Sequence, residues 1–164
     1  MGMLEGKVAI CTGSGRGVGA EVAKLMAANG AKVLVNDPGV GGGGEGGDTT
    51  PAQSIVDEIK AAGGEAVANF GSVTSFEDCL GMVEQARDEL GGCHVVFNPA
   101  GILRDRMFHK MSPEDWKDVI NVHLNGHFNI NRAAINLFRE QEYGRMIMVS
   151  STSGVLGNIG QANY

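Results

Sequence analysis

The stretch TGSGRGVG (Thr12 to Gly19) constrains this chain more than any other. An apolar run, KVAIC, leads into it, and Val18, Val22, Leu25 and Met26 then recur at helical spacing until Asn29-Gly30. A buried strand, a glycine turn and a helix are predicted in that order. Gly13, Gly15, Gly17 and Gly19 let the backbone turn sharply and approach a ligand closely. The helix start offers free N–H groups and a partial positive charge, which suit a pyrophosphate. Gly13, Ser14, Gly15, Arg16, Gly17, Val18 and Gly19 are therefore candidate cofactor-binding residues. A GxGxxG string alone is a weak signal in a chain with 26 glycines, and the competing reading is a tight turn with no ligand. Asp37 strengthens the ligand reading. It ends the next apolar run, AKVLVND, 24 residues after Gly13, where a carboxylate can bond an adenosine ribose diol. The same carboxylate repels the 2′-phosphate of NADP, so NAD is favoured; Arg16 argues the other way, as a phosphate partner.

The periodicity keeps alternating. After the strand Ala31 to Asp37 comes a glycine-heavy loop, Pro38 to Thr50, then a helical segment from Ser54 to Ala62. EAVANF (65–70) is a third strand. Phe76, Leu80, Val83 and Leu90 mark a third helix, and CHVVFN (93–98) a fourth strand. Ser112-Pro113-Glu114 is a helix start with a serine cap. One long helix is expected from Trp116 to Gln141, broken or bent near Gly126, followed by a fifth strand from Arg145 to Ser151. Strands alternating with helices imply right-handed crossovers. The expected fold is α/β: one domain over 1–164, a doubly wound parallel sheet (Rossmann fold), C-terminally incomplete with about five strands.

A chain of 164 residues, 43% hydrophobic and 20% charged, is long enough for a single core. Its net charge of −6 and the absence of basic runs argue against a nucleic-acid partner. No apolar run is long enough for a membrane segment or a signal peptide. Cys11, Cys79 and Cys93 have no CxxC spacing; an odd count fits a reducing cytosol, so a cytoplasmic location is expected. His94, His109, His123 and His127 lack a metal-ligand spacing, and no metal is expected.

TGSGRGVG, NPAG (Asn98 to Gly101) and a serine thirteen positions before a tyrosine (Ser151, Tyr164) together resemble the short-chain dehydrogenases/reductases. AGILRDRMF, VHLNGHF, YGRMIMVSS and GNIGQANY are most similar to the (3R)-hydroxyacyl-CoA dehydrogenase unit of multifunctional β-oxidation enzymes and its stand-alone bacterial relatives. The resemblance implies reversible hydride transfer between NAD and a secondary alcohol or ketone, with a 3-hydroxyacyl-CoA or 3-oxoacyl thioester as substrate. Tyr164 would be the acid/base, and Ser151 would orient the substrate oxygen. Ser72 and Val73 would lie beside the adenine, with Asn98, Ala100 and Gly101 along the ribose. A homo-oligomer is implied for the full-length form. A 3-oxoacyl-carrier-protein reductase and a general alcohol or steroid dehydrogenase are the rival enzymes.

Three departures from the family pattern qualify this. Pro99 stands where the family has a second asparagine, which removes one backbone N–H. His123 stands where many relatives have asparagine, and a buried, hydrogen-bonded helix histidine is expected there. The family's Tyr-x-x-x-Lys would place a lysine at 168, beyond Tyr164. That ammonium lowers the tyrosine's pKa, so the 164-residue chain alone is expected to be inactive or severely impaired. The alternative function is a truncated, catalytically inactive protein that binds a nucleotide or a partner.

Overall fold

The computed structural model describes residues 2–40 and 47–164. Five parallel strands form one sheet in the order β3-β2-β1-β4-β5. They are β1 (Val8–Cys11), β2 (Lys32–Asn36), β3 (Glu65–Asn69), β4 (Val95–Asn98) and β5 (Arg145–Met148). The chain builds β1, β2 and β3 outward on one side, then returns across β1 to add β4 and β5. This is the expected doubly wound sheet. The reversal leaves a crevice at the carboxyl ends of β1 and β4, where open α/β sheets bind ligands.

The side-chain period of two explains the two cores. Ala9, Cys11, Val33 and Val35 face α1 (Gly17–Ala28) and α2 (Thr50–Ala61). Val8, Ile10, Leu34 and Val96 face α3 (Phe76–Leu90) and α5 (Gly126–Glu140). Ile10, Val33, Leu34, Val35 and Val96 are wholly buried. Each such side chain contributes roughly 1.5–3 kcal/mol of burial.

Several helices differ in detail from the sequence expectation. In α1 the buried face is Gly19, Ala20, Ala23 and Ala27, while Val18 and Leu25 are 70% and 62% exposed. The helix lies close against the sheet, so only small residues fit beneath it. In α3, Phe76 and Leu80 are exposed, and Cys79, Met82 and Ala86 join Val83 and Leu90 in the core. Helix α2 begins at Thr50 rather than Ser54, with Pro51 in its first turn. The middle of the glycine-heavy loop, 41–46, lies outside the described residues.

The expected long helix is three segments: α4 (Pro113–Ile120), a π turn (Asn121–Asn125) and α5. Ser112 and Asp115 cap α4 reciprocally: each side chain accepts the other's backbone N–H. The break falls just before Gly126. A Cβ there would sit 2.8 Å from Cγ2 of Val73, so glycine lets α5 close onto the β3–α3 connection. The sheet ends in β5, where Ile147 and Met148 are exposed, and a short α6 (Thr152–Leu156) follows. No described helix is long and apolar enough to cross a membrane.

Candidate active site

The carboxyl ends of β1, β2 and β4 open into a cleft of ≈ 540 Å³. Of the residues singled out in the sequence, Gly13, Arg16, Gly17, Asp37, Ser72, Val73, Ala100 and Gly101 line it. Ser14, Gly15, Gly19 and Asn98 lie just behind, in its supporting wall, while Val18 points to solvent. Ser14 is fully buried and its hydroxyl donates to the Cys11 carbonyl at 2.6 Å, closing the turn from inside.

The glycine loop is shaped by space and by backbone angle. A Cβ on Gly13, whose φ is 53°, would lie 2.6 Å from Cα of Ala100. A Cβ on Gly19 would lie 2.5 Å from the Gly13 carbonyl oxygen. Gly17 has open space around it but a φ of 56°, which side chains adopt at a cost. Helix α1 starts at this loop with no side-chain cap on its N-cap Arg16 and no acidic residue in its first turn. Its positive end faces the cleft, where the Asp37 carboxylate takes the Gly15 N–H and leaves the α1 N–H groups open. A floor that a Cβ would fill, beside an uncapped helix start, fits the pyrophosphate of a dinucleotide.

Asp37 sits at the end of β2, almost entirely buried. Its Oδ2 accepts the Gly15 N–H at 3.0 Å, and its Oδ1 accepts the Gly39 N–H at 2.8 Å. Each oxygen keeps lone-pair capacity for a further donor. Asn36, which the sequence reading passed over, also lines the cleft. Its Nδ2 donates to Asn69 Oδ1 at 2.9 Å and to the Gly71 carbonyl at 2.8 Å, fixing β2 to the turn after β3. Its position beside Asp37 at a strand end was the available signal.

On the far wall, the Val73 carbonyl accepts from Asn129 Nδ2 of α5 at 2.9 Å. The Ser72 N–H donates to Asp78 Oδ2 at 2.8 Å. Asn98, wholly buried, accepts from the Thr12 hydroxyl at 3.1 Å, so β4 and β1 are joined behind the cleft floor. Asn98 Nδ2 has no hydrogen-bond partner among the described residues.

Ser151 and Tyr164 are not among the residues lining that cleft, and Tyr164 adjoins it by way of His123. Its ring meets His123 edgewise, with centroids 5.1 Å apart at 61°. His123 Nε2 is in turn 3.0 Å from both the N–H and the carbonyl oxygen of Ile102, a cleft residue. The histidine is hydrogen-bonded, as expected, but half-buried rather than buried. Burial, and then the carboxylate of Asp105, push the Tyr164 phenol above its ordinary pKa. Asp105 accepts Gln161 Nε2 on both oxygens at 3.2 Å, which ties the segment before Tyr164 to the loop after β4. Ser151 caps α6, its Oγ accepting the Ser153 N–H at 3.1 Å.

Cys11, Cys79 and Cys93 are free and buried, and burial raises each thiol to about 12, leaving them unreactive. Among the described residues, no three His, Cys, Asp or Glu side chains stand together as a metal site.

Comparison with known proteins agrees with this geometry. The family model described as short chain dehydrogenase matches residues 7–164. Peroxisomal multifunctional enzyme A of Dictyostelium discoideum is 49% identical over 96% of the chain, which spans 35% of that protein. A 3-oxoacyl-(acyl-carrier-protein) reductase of Synechocystis is 37% identical over the whole chain, which spans 63% of it. The crystal structure of a short chain dehydrogenase from Mycobacterium avium superposes with a TM-score of 0.91 at 44% identity, over all of this chain and 60% of that one. The chain belongs to the short chain dehydrogenase family.

Proposed function

We propose that this chain carries the cofactor cleft and the acid/base tyrosine of an NAD-dependent oxidoreductase. The reaction interconverts a secondary alcohol and a ketone, and the substrate is a 3-hydroxyacyl-CoA or a 3-oxoacyl thioester. The observation that carries the cofactor reading is Asp37, a buried carboxylate at the end of β2 that lines the cleft. A 2′-phosphate there would face a negative charge, whereas a ribose diol can donate to it. Arg16, the contrary feature, lies exposed at the cleft mouth.

When bound, the nicotinamide supplies or accepts the hydride. The chain's own residues do the rest. Gly13 and Gly17 with the α1 start, shaped by Gly15 and Gly19 behind them, would hold the pyrophosphate; Ser72 and Val73 would flank the adenine; Ala100 and Gly101, backed by Asn98, would border the ribose. Tyr164 moves a proton to or from the substrate oxygen, and Ser151 orients it. The thioester reading rests on the relatives, which are named as a peroxisomal multifunctional enzyme and a 3-oxoacyl-(acyl-carrier-protein) reductase.

The exposed apolar side chains of Trp116, Leu124 and Phe128 support a homo-oligomer. Three free, buried cysteines support a cytoplasmic setting.

Two measurements test the proposal. Fluorescence titration should show NADH binding at least about tenfold more tightly than NADPH, a difference of about 1.4 kcal/mol. Equal or reversed affinities would overturn the cofactor assignment. In the full-length protein, 3-hydroxyacyl-CoA oxidation should depend on Tyr164, with Tyr164→Phe lowering kcat by about 10²–10⁴. A Tyr164→Phe enzyme with unchanged kcat would overturn the acid/base role.

A further inference from the structure

Asn163, immediately before Tyr164, is only 3% exposed in a stretch whose other residues are exposed or half-buried. Its Nδ2 donates to two carbonyl oxygens, that of Arg104 at 3.2 Å and that of Asp115 at 3.4 Å. An amide NH₂ carries two hydrogens, so both bonds form together. Arg104 lies in the loop after β4, and Asp115 in the first turn of α4. One side chain therefore ties the residue before the tyrosine to two separate elements.

The other half of the amide speaks against a role in stability alone. Asn163 Oδ1 is buried and has no donor among the described residues. A buried acceptor left unmet is destabilising, and an apolar side chain in the same space would lack that cost. What asparagine supplies and an apolar residue does not is the pair of bonds from Nδ2. They belong to a run of fastenings between two segments. The Arg106 N–H donates to the Gly160 carbonyl at 2.9 Å, and Gln161 Nε2 donates to both oxygens of Asp105 at 3.2 Å. Arg104, Asp105 and Arg106 thus hold Asn163, Gln161 and Gly160 respectively. The Tyr164 N–H closes the stretch on the Gln161 carbonyl at 3.0 Å. A Cβ on Gly154 would lie 3.0 Å from the Tyr164 carbonyl oxygen, so α6, which Ser151 caps, lies against the same backbone.

We propose that Asn163 is a positioning residue: its amide anchors the backbone of Tyr164 to the loop after β4 and to the start of α4, and so sets where the tyrosine ring stands against His123 and the Ser151 helix. Its bearing on catalysis rests on the reading of Tyr164 as the acid/base. Asn163 acts through Tyr164, and a displacement of about 1 Å at a reacting group can cost about 10²-fold in rate.

The test uses the full-length protein and two variants. Asn163→Asp keeps the side chain's shape and, ionised, sets an acceptor against two carbonyl oxygens; Asn163→Ala removes the donor outright. In each, kcat for 3-hydroxyacyl-CoA oxidation should fall about 10–100-fold while KM for NAD stays within about twofold. The nuclear Overhauser contact between the Tyr164 and His123 rings should weaken in both. A Tyr164–His123 contact as strong as in the wild type would overturn the proposal. So would a KM for NAD that rises in step with the loss of kcat, or an unchanged kcat where Tyr164→Phe is inactive. If neither variant folds, Asn163 is a structural residue and the proposal fails. The two readings fail separately: a fully active Tyr164→Phe enzyme defeats the acid/base role, whereas an undisturbed Tyr164 ring in a folded Asn163 variant defeats the placement.

Discussion

The Asp37 carboxylate accepts the Gly15 N–H at 3.0 Å, so the residue proposed to select the cofactor also braces the loop that would cradle it. Its second oxygen holds Gly39 at 2.8 Å. Asp37→Asn replaces one acceptor oxygen by an NH₂ that opposes a backbone donor. The variant should lose roughly 1–3 kcal/mol of stability, the cost of an unmatched buried polar group. Its NADH-to-NADPH preference should narrow as well. Urea unfolding and paired cofactor titrations check the two effects separately. A narrowed preference at unchanged stability would show that the brace is dispensable.

The glycines of the loop should not be equivalent. Gly17→Ala meets open space and carries only the left-handed backbone cost, about 1–2 kcal/mol. Gly19→Ala would drive a Cβ to 2.5 Å from the Gly13 carbonyl oxygen, a backbone atom that cannot swing away as a flexible side chain would. It should fall at the upper end of the roughly 1–3 kcal/mol typical of overpacking. It should also weaken ADP-ribose binding in calorimetry more than Gly17→Ala does. The reverse ranking would mean that the loop relaxes around position 19.

How much of this was legible in the sequence differs from residue to residue. The strand–loop–helix around TGSGRGVG and the acid at 37 were readable because local order and spacing define them. The inward face of α1 was misread because Gly19, Ala20, Ala23 and Ala27 give a weak hydrophobic signal, whereas Val18 and Leu25, which face solvent, give a strong one. The start of α2 was read late because the glycine-heavy loop obscured Pro51 at its first turn. The bend near Gly126 was foreseen, but not that it is a π turn presenting His123 to Ile102. That contact joins residues 21 apart and leaves no local period. Asn36 was missed because its importance comes from Asn69 and Gly71, more than thirty positions away.

Acid should weaken the fold through His94. Its Nδ1 accepts the Val8 N–H at 3.0 Å, joining the start of β1 to that of β4. Burial, and then the Lys7 ammonium, hold its pKa below the usual histidine value. The unfolded chain therefore takes up this proton more readily than the folded one, so stability present above about pH 6.5 is lost as pH falls through the folded pKa. His94→Gln keeps a neutral acceptor and should flatten the decline in urea midpoint between pH 7.5 and 5.5. His127, whose pKa is lowered chiefly by burial, acts in the same direction, so some slope should remain. An undiminished slope in His94→Gln would remove His94 as its source.

Tyr164 should prove reluctant to ionise. Burial and the Asp105 carboxylate both favour its neutral form, whereas an acid/base tyrosine working near neutral pH needs a nearby positive charge. In a Tyr143→Phe background, ultraviolet titration of tyrosinate reports Tyr164, since the chain has two tyrosines. The midpoint should lie above the ordinary value of about 10. Asp105→Asn removes the charge but keeps an acceptor for Gln161, and it should move the midpoint down. The folded phenol's raised pKa also means that stability is intact below the ordinary tyrosine value and falls as pH rises through the folded one. If Asp105→Asn leaves the midpoint where it was, burial alone suppresses the phenolate. Raising activity would then require a cation beside Tyr164 rather than the removal of an anion.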